Sequence, residues 1–279
     1  MSADSLTSGG AGGGDAPPPP PPPPPSPPQL PILYSYWRSS SSYRVRIALH
    51  LKGVRFETRA THLVAGAQLE EAFARAVNPM REVPALVVPL SAAGGDAAAA
   101  AAAAAAFSAA SAAAEGAPAS VTLTQSPAIL EWLEEAVPLP ALLPPRSSPL
   151  LRAKVRELCA VVACDTQPLQ NLRVLKHVAS LFAEREPAER EAQRQEWAQR
   201  YIAAGLEALE SLLAASAGRF CVGDEVTLAD LHLVPQVYNA VRFKVDMARF
   251  PTAARVAANC MQLEAFQRAQ PSAQPDAEA

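Results

Sequence analysis

The stretch from Leu33 to Leu49 constrains the fold more than any other part of the chain. Residues 32–36 are apolar and aromatic and read as a short strand. Trp37-Arg38 and the run Ser39-Ser40-Ser41-Ser42 follow, and Arg44 to Lys52 then reads as an amphipathic helix. Gly53 suits the left-handed position that closes it. A strand that runs through serines into a helix sets hydroxyls at a helix N-terminus. Unpaired backbone N–H groups and the helix dipole favour an anion there, whether thiolate, phosphate or carboxylate.

The residues that follow supply a sheet for this unit. Arg55–Thr61 fits a strand and Gln68–Val77 a short helix. Val83-Pro84-Ala85-Leu86-Val87-Val88 is a β-branched run led by a proline, which a strand tolerates at its first residue. Ser120-Val121-Thr122-Leu123-Thr124 is a further strand, and a helix runs to Glu135 with Ser126 as N-cap and Pro127 at N1. The order β-α-β-α-β-β-α predicts an α+β domain of the thioredoxin-like type. Its last two strands ordinarily meet in a tight hairpin, yet residues 91–119 lie between them, with alanine unbroken from Ala97 to Ala106. This block reads as a surface insertion, helical or disordered, at a hairpin tip, because loop-closure cost grows slowly with length.

Composition divides the rest. Residues 1–29 are Ser/Gly-rich and then almost all proline from Pro17 to Pro28, an extended polyproline tail with little to bury. The expected domains are a disordered tail over 1–29, the thioredoxin-like half over 30–137 with its insertion at 91–119, and a proline-rich linker over 138–149. An all-helical half over 150–270 and a disordered tail over 271–279 complete the chain. Leu151, Val155, Leu158 and Val162 form an apolar helical stripe, and Ile202, Leu206, Leu209 and Leu213 repeat it. Glu184–Glu196 is charged and reads as a solvated bridge between helices. Thr227-Leu228-Ala229-Asp230 reads as a capping box.

Several function classes have nothing to stand on. Net charge is −3 with both signs mixed, so the chain has no electrostatic footprint for nucleic acid. No run is apolar and long enough to span a membrane. The N-terminus lacks a basic n-region and an apolar h-region, and the first arginine is Arg38, which argues against secretion and against a transit peptide. A cytoplasmic location is the expectation. Cys159, Cys164, Cys221 and Cys260 show no CxxC or zinc-type spacing, and His50, His62, His177 and His232 form no ligand set, so no metal is expected.

Three places can carry chemistry. The serine run either caps its helix and nothing more, or donates hydroxyls to a ligand thiolate and lowers its pKa. Serine needs a base to act as nucleophile, and no histidine lies nearby in sequence, so the thiol belongs to the ligand. Val83-Pro84 opens a strand. An X-Pro bond is ordinarily trans, but a cis bond exposes the preceding backbone to an extended peptide. Gln125-Ser126 is either a plain cap or an anion cradle for a carboxylate. A thiolate site, a peptide-pairing strand and a carboxylate cradle together match the needs of glutathione, a γ-glutamyl tripeptide.

On these and further segments the chain resembles the zeta-class glutathione transferases, the maleylacetoacetate isomerases, over residues 31–275 apart from the insertion. The resemblance is carried by Tyr34-Ser35-Tyr36 with the serine turn, Asn78-Pro79-Met80 through Val83-Pro84, and Leu123-Thr124-Gln125-Ser126. It continues in Gln167-Pro168-Leu169-Gln170-Asn171-Leu172, in Phe220–Thr227 and in Asn239–Asp246. It implies the glutathione transferase fold, glutathione as cofactor, a homodimer and a small acid substrate. The implied reaction is cis–trans isomerisation of maleylacetoacetate to fumarylacetoacetate in tyrosine and phenylalanine catabolism. Ser39, Ser40, Ser41 and Ser42 are the implied catalytic serines. With them, Tyr43, Arg44, Gln68, Val83, Gln125, Ser126, Gln167, Asn171, Leu172 and Arg173 are implied to bind glutathione. Arg44 and Arg242 are the candidates for the substrate carboxylates, since guanidinium recognises carboxylate bidentately; an ordinary surface ion pair is the other reading of Arg242. The chain departs from the family at Ser41, where cysteine is usual, and at Tyr43, where tryptophan or histidine is typical. Conjugation or dehalogenation of small α-halo acids on the same site is the alternative enzyme. A non-catalytic binding module is the alternative outside enzymology, with residues 17–28 as a ligand for a polyproline-recognition domain.

Overall fold

A computed structural model of the chain describes residues 30–89 and 120–278. The expected tail over 1–29, with its polyproline segment, and the insertion over 91–119 lie outside the described residues. Strands β1 (Ile32–Ser35), β2 (Glu57–Ala60), β3 (Ala85–Pro89) and β4 (Ser120–Thr124) form one sheet in the order β2-β1-β3-β4. β1 and β2 are parallel, whereas β1–β3 and β3–β4 are antiparallel. Leu33 faces Leu86 across the β1–β3 pair, and Pro89 faces Ser120, so residues 90–119 join two neighbouring strand ends.

Each face of the sheet is covered because each carries apolar side chains. α1 (Ser40–Leu51) and α3 (Ser126–Ala136) bury Val45, Ile47, Leu49, Ile129 and Leu133 on one face. α2 (Glu71–Ala76) packs on the other, where Phe73 joins Tyr36, Val83 and Ala85. Ser39 caps α1, its Oγ accepting the Ser42 N–H at 3.2 Å, and Gly53 ends it at φ +65°.

The segment expected as a linker is packed rather than loose. Lys52 is buried and its Nζ donates to Glu134 (2.9 Å), to the Val137 carbonyl (2.6 Å) and to the Pro140 carbonyl (3.0 Å). Glu134 accepts in turn from the Leu142 and Leu143 N–H groups, and both leucines are buried. A buried pair of this kind needs its remaining hydrogen bonds satisfied, and here they are.

The second half is helical: α4 (Pro149–Ala160), a π-turn over Val161–Thr166, a 3-10 turn over Gln167–Gln170, α5 (Leu172–Leu181), α6 (Pro187–Leu213), α7 (Leu228–Arg242), α8 (Pro251–Cys260) and α9 (Glu264–Ala269). Both apolar stripes are buried except Leu151, which is exposed. The capping box is present: the Asp230 carboxylate accepts the Thr227 N–H and also the Cys221 N–H, each at 2.8 Å. One hydrophobic core runs through both halves, from Leu33 and Ile129 to Val155, Ile202, Leu231 and Phe266.

Two expectations need correction. Glu184–Glu196 is no bridge, because from Pro187 onward it forms the first turns of α6. Its Glu, Arg, Gln and Ala residues are good helix formers, and Trp197 anchors the helix by donating Nε1–H to the Leu169 carbonyl at 2.9 Å. Residues 271–278 form no free tail. Pro271 is buried, Asp276 accepts the Trp37 N–H at 3.0 Å, and Glu278 meets His62 at 2.6 Å. The segment has little apolar surface of its own, and beyond the buried Pro271 it is held by polar contacts with both halves.

Candidate functional site

A cavity of about 580 Å³ opens between the two halves. One wall is the start of α1, where Ser39, Ser40 and Ser41 stand beside the free N–H groups of the first helical turn. No acidic residue occupies that turn, so nothing there competes with an anion. The floor holds Val83 and Pro84, joined by a cis peptide bond, and then Gln125 and Ser126. Val83 lies just ahead of the sheet ladder, whose first pair on this strand is at Ala85.

The cap of α3 is shifted by one residue from its expected place. Gln125, at φ +68° and ψ 111°, is the N-cap, and Ser126 is the first helical residue. A glutamine in that region of φ is strained, and such strain persists where surrounding structure holds it, often beside a ligand. Arg44 Nη1 donates to Ser126 Oγ at 3.2 Å. Arg44 is completely buried, and burial lowers its pKa to about 10, which leaves it charged near neutral pH. The buried His232 lies near it. Burial first, and the Arg44 charge second, lower the His232 pKa to about 3, so its ring is neutral.

The opposite wall comes from the helical half. Gln167 lies in the 3-10 turn, and Asn171 caps α5 by accepting the Arg173 N–H at 3.0 Å. Leu172 and Arg173 complete this wall, and Arg173 reaches across to Glu82 of the first half at 3.5 Å. Gln68 is buried in the loop before α2 and lines the cavity near Leu63. Arg242, in the last turn of α7, stands at the exposed rim over the Phe243 ring. Partial desolvation and the charge of Arg38 lower its pKa.

Of the residues expected at the site, Ser39, Ser40, Ser41, Arg44, Gln68, Val83, Gln125, Ser126, Gln167, Asn171, Leu172, Arg173 and Arg242 line this one cavity. Ser42 and Tyr43 do not. Helical rotation of about 100° per residue turns them away from the face shared by Ser40, Ser41 and Arg44. Ser42 is fully buried, and the Tyr43 hydroxyl donates to the Phe266 carbonyl at 3.3 Å, with burial raising its pKa. Tyr43 is thus a core residue between α1 and α9.

Sequence reasoning missed Arg38, Tyr36, Asn239 and Lys176, which also line the cavity. Arg38 donates to the Tyr36 hydroxyl at 3.2 Å and stacks on the Trp37 ring, 4.6 Å from its centroid. It sits in a loop, where no periodicity reveals a direction. Asn239 could have been found, since it lies one turn before Arg242 on the same helix.

Over residues 38–136 the chain matches the family model described as glutathione S-transferase, N-terminal domain, and over 174–269 the one described as glutathione S-transferase, C-terminal domain. The chain belongs to the glutathione S-transferase family. It is 42% identical over 248 residues to a maleylacetoacetate isomerase of Mus musculus, covering 88% of this chain and 94% of that protein. A maleylpyruvate isomerase of Ralstonia sp is 42% identical over 246 residues, covering 88% and 98%. Among solved structures, this glutathione S-transferase is similar to a maleylacetoacetate isomerase of Anaeromyxobacter dehalogenans 2CP-1 with bound GSH in the active site. The TM-score is 0.69 at 44% identity, over 89% of this chain and 98% of that one. A maleylpyruvate isomerase described as a bacterial glutathione S-transferase in the zeta class gives a TM-score of 0.71 at 41% identity, over 88% of this chain and 100% of that one. The kinship with zeta-class enzymes agrees with the motifs read from the sequence.

Among the described residues no group of three or more His, Cys, Asp or Glu side chains could hold a metal ion. No helix among them is long and apolar enough to cross a membrane.

Proposed function

We propose that this glutathione S-transferase catalyses the glutathione-dependent cis–trans isomerisation of maleylacetoacetate to fumarylacetoacetate, a step in tyrosine and phenylalanine catabolism. The observation that carries the reading is the junction of two sites in one cavity. An anion-favouring helix start at Ser39–Ser41 faces a basic rim of Arg38, Arg173 and Arg242. Among the described residues Arg38 and Arg242 meet no carboxylate of the chain, so both are available to an acid.

The donor set fits glutathione. Ser126 accepts from the buried Arg44, which leaves its O–H free to point into the cavity toward a carboxylate. Val83 offers backbone groups ahead of the ladder, and Gln68 has a buried Oε1 without a partner among the described residues. When bound, glutathione supplies a thiol nucleophile that adds to the olefinic carbon and later leaves, so the bond turns while it is single. The Ser40 and Ser41 N–H groups and hydroxyls favour negative charge at that sulfur position. Ser39 Oγ is occupied as the helix cap and orders this turn. Arg242 and Arg38 hold the acid end and fix the reacting carbon near the serine turn, which converts an encounter into an oriented reaction. Ser41 provides no thiol, and none of these roles requires one. A homodimer working in the cytoplasm belongs to the same proposal.

The test is turnover of maleylacetoacetate by the purified protein with and without glutathione. Isomerisation that vanishes without glutathione is the expected result, and Arg242→Ala is expected to raise KM for the acid about tenfold, the scale of one lost charge-assisted bond. Adduct formation without isomerised product would replace this reading with conjugation. Glutathione binding without turnover of either kind would leave a binding module.

A further inference from the structure

The segment after α9 reaches back to the loop that feeds the serine turn. A 3-10 turn over Pro271–Ala273, with Pro271 buried, redirects it, and Gln274 Nε2 donates to the Arg268 and Gln270 carbonyls at 2.9 Å each. This brings Asp276 to Trp37, whose N–H donates to Asp276 Oδ2 at 3.0 Å. The other backbone polar group of residue 37 is held as well: Arg46 Nη2 donates to the Trp37 carbonyl at 3.0 Å. Arg46 is wholly buried, and its remaining N–H groups go to Ser35 Oγ (3.0 Å), the Tyr36 carbonyl (3.4 Å) and the Ala269 carbonyl (2.9 Å). Asp276 lies close enough to Arg46 to favour its charge. Residue 37 is therefore gripped between a cation from α1 and an anion from the C-terminal segment.

The next two residues are Arg38 at the cavity rim and Ser39 at the cap of α1. Arg38 also stacks on the Trp37 ring, so its direction follows the conformation of residue 37. The Glu278–His62 contact ties the same segment to the loop that carries Leu63 and Gln68, but both side chains are exposed, and such pairs contribute little. The Trp37–Asp276 bond is charge-assisted and partly buried, which makes it the stronger attachment.

We propose that Asp276 is a positioning residue. Through the Trp37 N–H it sets the loop from which Arg38 and Ser39 reach the ligands, while Asp276 itself lines no part of the cavity. The kinetic consequence rests on the proposed function; the structural one does not.

The test compares Asp276→Ala, Asp276→Asn and Glu278→Gln in the full chain. Amide hydrogen exchange over residues 33–39 is expected to speed up in Asp276→Ala and to return toward the parent rate in Asp276→Asn, whose carboxamide oxygen still accepts. Glu278→Gln is expected to leave it unchanged. Affinity for malonate, read by calorimetry without turnover, and kcat/KM for the acid should both fall about tenfold in Asp276→Ala, with the KM change the larger part. Unchanged exchange in Asp276→Ala overturns the proposal. Faster exchange with unaltered malonate affinity overturns the positioning role, because a purely structural tether would behave so. Absence of turnover in the parent protein defeats the proposed function and leaves the exchange and malonate results to decide this one.

Discussion

At the scale of single residues the site depends on buried charge that holds its polar groups in place. Arg44 is the main case: a guanidinium with no exposed surface, whose Nε and Nη2 have no partner among the described residues, and whose Nη1 supports Ser126. Removing the hydroxyl it serves leaves that N–H without an acceptor, which costs more than an ordinary exposed bond. Ser126→Ala is therefore expected to weaken glutathione binding about tenfold and to lower stability by roughly 1–3 kcal/mol; isothermal calorimetry and urea denaturation measure the two effects separately. Threonine at the same position keeps the hydroxyl and should restore both in large part. The roles of individual residues were only partly legible in the sequence. Ser39, Ser126 and Arg242 announce themselves by residue type and place, whereas Arg38 does not, because a loop arginine has no periodic face. Tyr43 was misplaced for the opposite reason, since adjacency to the serine run in sequence does not survive a helical rotation.

At the scale of elements the opposite wall of the cavity is set by how closely two of them approach. Gly205, in α6, lies against Thr166 at the end of the π-turn, and a Cβ built there would overlap the Thr166 side chain. Thr166 is buried with its Oγ1 donating to the Val161 carbonyl at 2.7 Å, so it has little room to yield. Alanine in place of a helical glycine gains about 1 kcal/mol of propensity, whereas overpacking of this kind costs about 1–3 kcal/mol. Gly205→Ala should therefore be net destabilising, and it should displace the adjoining Gln167. The checks are a lower thermal midpoint in calorimetry and a weaker glutathione affinity. A neutral or stabilised protein would show that the π-turn can shift. Sequence patterns located α6 through its Ile202–Leu213 stripe but stopped short of its true start, since the charged turns from Pro187 have no apolar face to signal a helix. The π-turn was not legible at all: its geometry answers to the glycine facing it, some forty positions away.

At the scale of the whole molecule the two halves share one core and a buried polar seam, and the seam makes stability depend on pH. His232, on α7, is wholly buried with Nδ1 at 2.8 Å from the Leu228 carbonyl, beside Arg44 of the other half. Its pKa falls from 6.5 in the ordinary state to about 3 in the fold, so between those values the unfolded chain binds a proton that the native protein refuses. Stability contributed by the neutral ring is then complete above about pH 6.5 and is lost as pH falls toward 3, with a slope approaching 1.4 kcal/mol per pH unit, roughly, inside that window. Urea midpoints measured from pH 4 to 7 should show this acid limb, and His232→Asn, which keeps a donor for Leu228, should flatten it. An unchanged slope would place the acid sensitivity in other groups. What the sequence by itself determined is local: strands and helices from apolar period, caps from serine, threonine and proline, and the motif that marks a glutathione-type thiol site. Each of these follows from interactions between near neighbours along the chain, which is why order and type of elements could be read in advance. Only the tertiary structure decided that Ser42 and Tyr43 face the core and that the linker is locked by Lys52 and Glu134. It also decided that Arg38 joins Arg242 at the rim and that Asp276 returns to hold Trp37. These arrangements join residues distant in sequence, and their direction is set by which groups burial leaves with a partner.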